Sequence, residues 1–122
     1  KYTIEALQQA ISHAGSGNLC GTIHHSDRGV QYCCDEYITL LKEHHIRISM
    51  TEDSNPTDNG MAERVNGIIK NEFLEPLQTP KNLLEALPLV DHAVRTYNTL
   101  RPHLNLSMRT PAQVYEGKQI IL

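Results

Sequence analysis

Two short extended stretches joined by one helix of crossover length constrain this chain more than any other feature. Cys20-Gly21-Thr22-Ile23-His24 suits a strand, and Ile46-Arg47-Ile48-Ser49-Met50 alternates like a half-buried one. Between them, from about Cys34 to His45, the positions Tyr37, Leu40, Leu41 and His44 line one helical face. The pattern is β-α-β, and the fold class it predicts is α/β. The turn His25-Ser26-Asp27-Arg28-Gly29 follows the first strand, so Asp27 is expected at a strand's carboxyl end.

The flanks read as helices and loops. Thr3 is expected to cap a first helix carrying Ile4, Leu7 and Ile11, which Gly15-Ser16-Gly17-Asn18 ends. Thr51 to Asn59 holds Asp53, Ser54, Asn55 and Pro56, a loop composition, and leads to a helix start near Thr57 or Asp58. That helix should run to about Phe73. A further helical pattern passes through Leu84, Leu87, Val90, Val94 and Tyr97, with Pro88 either kinking it or delaying its start. The tail from Arg101 to Pro111 looks irregular, with Ala112 to Tyr115 as a last turn.

The totals exclude several classes. At 122 residues the chain suits one small domain, and it has neither a membrane-length apolar run nor a signal-peptide pattern, so a cytoplasmic protein is expected. The first residue is Lys1 with no initiator methionine, as expected of a piece of something longer. Cys20, Cys33 and Cys34 cannot all pair and read as free, buried or half-buried thiols. Together with His24, His25, His44 and His45 they tempt a zinc reading, but adjacent cysteines followed by adjacent histidines lack a zinc-finger spacing. The net charge of -3 argues against a surface devoted wholly to gripping phosphates.

Chemistry concentrates in Asp27 and Glu63, separated by 35 residues. At about 100 degrees per residue, Asn59, Glu63, Asn66 and Lys70 fall in one stripe, while Met61, Ala62, Val65, Ile68, Ile69 and Phe73 form a separate apolar arc. The helix can therefore pack and still present Glu63. Carboxylates on a strand end and a helix suit two-metal phosphoryl transfer by hard, oxygen-preferring Mg²⁺ ions. Each residue also has a plainer reading. Asp27 can close an Asx turn, Glu63 can pair with Asn59 or Lys70, Lys70 can be a solvated lysine, and Asn59 can simply start the helix. Arg95, Arg101, His103 and Arg109 form either a basic patch or a set that packs the tail.

Three ordered motifs weigh against the plain readings. His25-Ser26-Asp27-Arg28-Gly29-Val30-Gln31-Tyr32 looks like H-S-D-x-G-x-x-Y, and Asp58 to Glu72 looks like D-N-x-x-x-E-x-x-N-G-x-x-K-x-E. Tyr97-Asn98-x-x-Arg101-Pro102-His103 with Thr110-Pro111 is similar to a closing Y-N-x-x-R-P-H and T-P signature. From about Gly21 to Tyr115 the chain resembles the DDE transposases of bacterial insertion sequences, which share their fold with retroviral integrases. The resemblance implies a partial RNase H-like fold without its first strands, with residues 1–76 as the later part of the catalytic core and 77–122 as a helical extension packed on it. It implies Asp27 and Glu63 as catalytic metal ligands for Mg²⁺ or Mn²⁺, with two ions in the complete site. It further implies Lys70, Asn66, Arg64 and Arg101 as DNA contacts, Ser26 and Asn59 in support, and transposon ends and target DNA as partners.

The implied reaction is nicking of a transposon end followed by attack of the freed 3′-hydroxyl on target DNA. The family's first catalytic Asp belongs to a strand several dozen residues before the second, yet only 26 residues precede Asp27 and none is Asp. The chain alone is expected to be inactive, and its uncovered sheet edge and face to favour a homodimer. One alternative is a degenerate remnant that only binds DNA or protein. An unrelated RNase H-like nuclease would have no evident use for the Tyr97 to His103 motif.

Overall fold

In the computed structural model, which describes residues 1–15, 17–52 and 56–117, the stretches Lys1–Gly60 and Met61–Leu122 form separate compact units. The first unit begins with helix α1 (Tyr2–Ala14). Its cap position is Lys1 rather than Thr3, because the Glu5 N–H already bonds the Lys1 carbonyl and draws Thr3 inside the first turn. Gly15, at φ 87, closes the helix with its N–H on the Ile11 carbonyl, a left-handed conformation that costs glycine least. Ser16 lies outside the described residues.

Strand β1 spans Ile23–Ser26, shifted from the expected Cys20 to His24. Residues 17–21 turn, Leu19 packs on the core, and Gly21 at φ 78 gives its N–H to His45. The ladder therefore starts at Thr22, whose carbonyl takes the Arg47 N–H. β1 pairs in parallel with β2 (Arg47–Met50), Ile23 opposite Arg47 and Ser26 opposite Met50. The crossover is α3 (Asp35–Glu43), preceded by a short α2 (Val30–Cys33) that no sequence signal announced. His45 at φ 54 reverses the chain from α3 towards β2. Leu7, Tyr37, Leu41 and Ile46 are buried together, with Ile4, Ile11, Tyr32, Leu40 and Ile48 packed around them. Leu41 is 1% exposed, and burying such a side chain contributes about 1.5 to 3 kcal/mol.

A 3-10 turn, Pro56–Asn59, leads into α4 (Gly60–Ile68); Asp53, Ser54 and Asn55 of the expected loop lie outside the described residues. The helix continues past α4 as a π-helical turn, Ile69–Leu74, closed by the Glu75 N–H on the Lys70 carbonyl. The expected length to Phe73 is present, with its last part wider than an α-helix. Val65, Ile68, Ile69 and Phe73 are half-buried, whereas Met61 and Ala62 are exposed.

Helix α5 (Leu83–Thr99) is capped by Asn82, whose side chain accepts the Glu85 N–H, while Glu85 takes the Lys81 N–H. It passes through Pro88 instead of starting after it. The missing N–H leaves the Leu84 carbonyl without its helical partner, and Leu84 is 82% exposed, where water can serve. Ala93 and Tyr97 of α5 are buried, whereas Leu83, Leu84, Leu87, Val90 and Val94 are exposed. The tail is more regular than its composition suggests. His103 and Arg109 form an antiparallel bridge around a 3-10 turn (Leu104–Leu106), and α6 (Pro111–Tyr115) starts with a Thr110–Gln113 capping box and Pro111 in its first turn. No helix among the described residues is long and apolar enough to cross a membrane.

Candidate metal and DNA-binding site

Asp27 is the first residue beyond β1, where the ladder ends and the side chain is exposed. Its Oδ1 accepts the Gly29 N–H at 2.9 Å, an Asx turn that fixes one oxygen and leaves Oδ2 without a partner among the described residues. The glycine has a steric reason. A Cβ at position 29 would lie 2.5 Å from Gln31 Nε2 and 2.9 Å from that same Oδ1, closer than such contacts ordinarily come.

The neighbours of Asp27 are tied to other elements of the first unit. His25 Nδ1 lies 2.8 Å from Ser49 Oγ on β2, and its Nε2 lies 2.9 Å from the Asp58 carbonyl. Arg28 Nε donates to the Thr51 carbonyl at 2.7 Å, and the Thr51 N–H continues the ladder to Ser26. Ser26 is 5% exposed and its Oγ has no hydrogen-bond partner among the described residues. On the other side of the strand end, His24 Nε2 and the Tyr37 hydroxyl are 2.9 Å apart, with Tyr32 completing an aromatic trio. Burial there lowers the pKa of His24 and raises that of Tyr37, since both charged forms lose solvation.

Glu63, Arg64 and Asn66 stand exposed on α4, and Lys70 stands exposed on its π-helical continuation. None of the four has a side-chain partner among the described residues, so the pairing of Glu63 with Asn59 or Lys70 allowed by helical spacing is absent there. Asn59 is half-buried at the end of the 3-10 turn and makes no side-chain hydrogen bond among the described residues. Asp27 and Ser26 belong to the first unit, and Glu63, Arg64, Asn66 and Lys70 to the second.

Arg95, Arg101 and Arg109 have internal partners. Arg101 forms a two-pronged ion pair with Glu72, Nε to Oε2 at 2.8 Å and Nη2 to Oε1 at 2.7 Å. The pair lowers the Glu72 pKa and raises that of Arg101, in each case chiefly through that hydrogen bond. Arg95 pairs with Asp91, and Arg109 Nε donates to the Leu106 carbonyl. His103 packs edge-on against Tyr97 with ring centroids 5.1 Å apart. Sequence reading assigned no role to Glu72, His25 or Arg28; their partners lie 23 or more residues away along the chain, beyond any local spacing signal.

Comparison with known proteins bears on the same segments. The family model for the integrase core domain matches residues 44–111. The transposase for insertion sequence element IS629 of Shigella sonnei is 32% identical over 112 residues, covering 92% of this chain and 36% of that protein. A 31 kDa protein of insertion element IS600, also from Shigella sonnei, is 35% identical over 97 residues, covering 79% of this chain and 35% of that protein. The chain thus spans about a third of the length of these relatives. Among solved structures, the integrase catalytic core domain of HTLV-2, in a dimeric form complexed with magnesium, matches with a TM-score of 0.68 and 30% identity, over 93% of this chain and 67% of that one. The architecture is accordingly the RNase H-like α/β fold of integrase cores.

Proposed function

This chain belongs to the integrase core domain family, and from that premise we propose that it is the later part of the catalytic core of an insertion-sequence transposase, acting in DNA transposition. The observation that carries the reading is a pair of spare carboxylates. Asp27 leaves a strand end with one oxygen held by Gly29 and the other uncommitted, and Glu63 stands exposed and unpartnered among the described residues on the helix that follows the loop.

Both are hard oxygen donors of the kind Mg²⁺ prefers, and the magnesium complex of the HTLV-2 core supports that choice of ion. No group of three or more candidate ligands assembles among the described residues, so the chain offers a partial ligand set. Asp27 and Glu63 would hold the ions, two of them in a complete site that adds the family's first Asp. The chemistry a bound pair supplies is activation of water or a 3′-hydroxyl and stabilisation of the leaving oxygen. The chain's own part is to hold the two carboxylates and to receive DNA.

Arg64, Asn66 and Lys70 would meet the DNA, with Ser26 and Asn59 supporting the two carboxylates. Arg101 would also contact DNA, although its bond to Glu72 competes with any phosphate. In this reading residues 1–76 serve the core and 77–122 the extension, DNA ends and target are the partners, and the working form is a homodimer. The isolated chain is inactive for want of the first Asp.

Reconstitution tests the proposal. The 122-residue chain with Mn²⁺ should leave supercoiled plasmid intact, while a protein extended upstream through the first strand and its Asp should nick it, and Glu63→Gln should abolish that nick. Nicking that survives Glu63→Gln would show the activity to come from a contaminant, and an extended protein that binds DNA and never cuts would favour the remnant that only binds. In the extended protein Lys70→Ala should lower the slope of log K against log salt by about one, as expected for one lost phosphate contact.

A further inference from the structure

The side chains two residues before and one after Asp27 reach opposite ends of one loop. Arg28 donates to the carbonyl of Thr51, where β2 gives way to the loop, and His25 contacts the carbonyl of Asp58, two residues before α4 begins. A carbonyl only accepts, so His25 Nε2 must carry the proton. In the neutral ring Nδ1 is then the acceptor for the Ser49 hydroxyl, and β2 thereby fixes the ring's orientation. Thr51 is held twice, by Arg28 and by its own N–H on the Ser26 carbonyl.

We propose that His25 and Arg28 are positioning residues that tether the two ends of the loop between β2 and α4 to the segment carrying Asp27, and so fix the backbone from which α4 starts. The role rests on the reading of Asp27 and Glu63 as ligands of a shared cation. A helix that carries one ligand must start from a fixed point if both ligands are to meet one ion, because displacements of about 1 Å already degrade a site. The strand end supplies that point. Asp27 is anchored to Gly29, and the residues flanking it hold the loop, so one short segment orients a carboxylate and the entry to the helix bearing the other.

The test uses the full 122-residue chain and the variants His25→Ala, His25→Gln, His25→Asn and Arg28→Ala. Amide hydrogen exchange at Asn59 to Arg64 is compared with exchange in α3, and Mn²⁺-induced broadening is followed at Asp27 and at Glu63. His25→Ala should speed exchange at Asn59 to Arg64 by about threefold to tenfold, the factor one net hydrogen bond supplies, and leave α3 unchanged. Glutamine can place a donor near Nε2 and should restore protection, whereas asparagine reaches only the Nδ1 position and should not. The Mn²⁺ concentration that broadens Glu63 should rise in His25→Ala and return in His25→Gln. Arg28→Ala should have a smaller effect, because Thr51 keeps its ladder bond. Unchanged exchange in His25→Ala, equal acceleration in α3, or rescue by asparagine as good as by glutamine would overturn the tether. If Mn²⁺ broadens neither Asp27 nor Glu63 in the unmodified chain, the shared-cation reading falls, while the tether still stands or falls on the exchange data.

Discussion

Asp27 and Arg101 are both charged motif residues placed just beyond a regular element, and the molecule treats them differently. Asp27 keeps an oxygen with no partner among the described residues, whereas Arg101 commits two N–H groups to Glu72. The contrast extends to their neighbourhoods. Around β1 and along α4 and its π-helical continuation, Asp27, Glu63 and Lys70 are exposed and largely uncommitted. Around the end of α5, Tyr97 is buried, His103 packs on it, Arg109 caps a turn and Thr110 caps a helix. Two motifs of one family signature thus serve different ends: one presents unsatisfied charge, and the other holds a helix and its tail together.

The largest effect expected from this contrast is on stability. Tyr97 is 8% exposed, and Tyr97→Ala should cost about 3 kcal/mol, as large-to-small changes at buried aromatic positions do. Asp27→Asn and Glu63→Gln should each stay within about 0.5 kcal/mol of the unmodified chain in the same urea titrations. A stability loss from Glu63→Gln as large as that from Tyr97→Ala would erase the distinction.

Gly29→Ala sharpens it from the other side. The new methyl would crowd both Gln31 and Asp27 Oδ1, and displacing those side chains should cost about 1 kcal/mol and weaken Mn²⁺ binding at Asp27. Calorimetric titration of the variant with Mn²⁺ reads the second quantity. Binding as tight as in the unmodified chain would mean that the Asx turn does not position the carboxylate.

Acid should reach the two regions in different windows. Burial depresses the His24 pKa in the folded chain, so below its ordinary 6.5 the unfolded chain binds the extra proton and the folded chain resists it. Stability should therefore fall as pH drops from 6.5 towards the lowered value, and His24→Phe should flatten that limb of the melting curve. The Glu72–Arg101 pair acts lower. Because the folded Glu72 pKa lies below 4.5, its contribution is present above that value and is lost as pH falls through the lowered one. Glu72→Gln should give only a small drop in Tm, one that high salt removes, since the pair is partly exposed. A Glu72→Gln effect rivalling that of Tyr97→Ala would make the ion pair, and not the aromatic packing, the main tie at the tail.

Legibility followed the range of the forces involved. The β-α-β unit and the faces of α1 and α3 were readable because Leu7, Tyr37 and Leu41 recur at helical spacing and end up buried. β1 was misplaced at its start, which depends on the Arg47 N–H reaching the Thr22 carbonyl, a bond no local pattern records. The π-helical turn after Ile68 and the passage of α5 through Pro88 were likewise decided by packing and solvent access, which override propensity. In the candidate site, Asp27 and Glu63 stood out through their motifs, and the Asx turn that Asp27 closes was foreseen as its plainer reading. The choice for Arg101 between a DNA-facing patch and tail packing stayed open, because it turns on Glu72, which lies 29 residues away.

The central claim is that Asp27 and Glu63 serve one cation, and Mn²⁺ titration of the isotopically labelled chain by NMR tests it most directly. The account predicts that amide signals around Asp27 and around Glu63 broaden over the same range of Mn²⁺, and that Asp27→Asn or Glu63→Gln alone abolishes both effects. Broadening that appears at one carboxylate only, or that persists at Asp27 after Glu63→Gln, would contradict it.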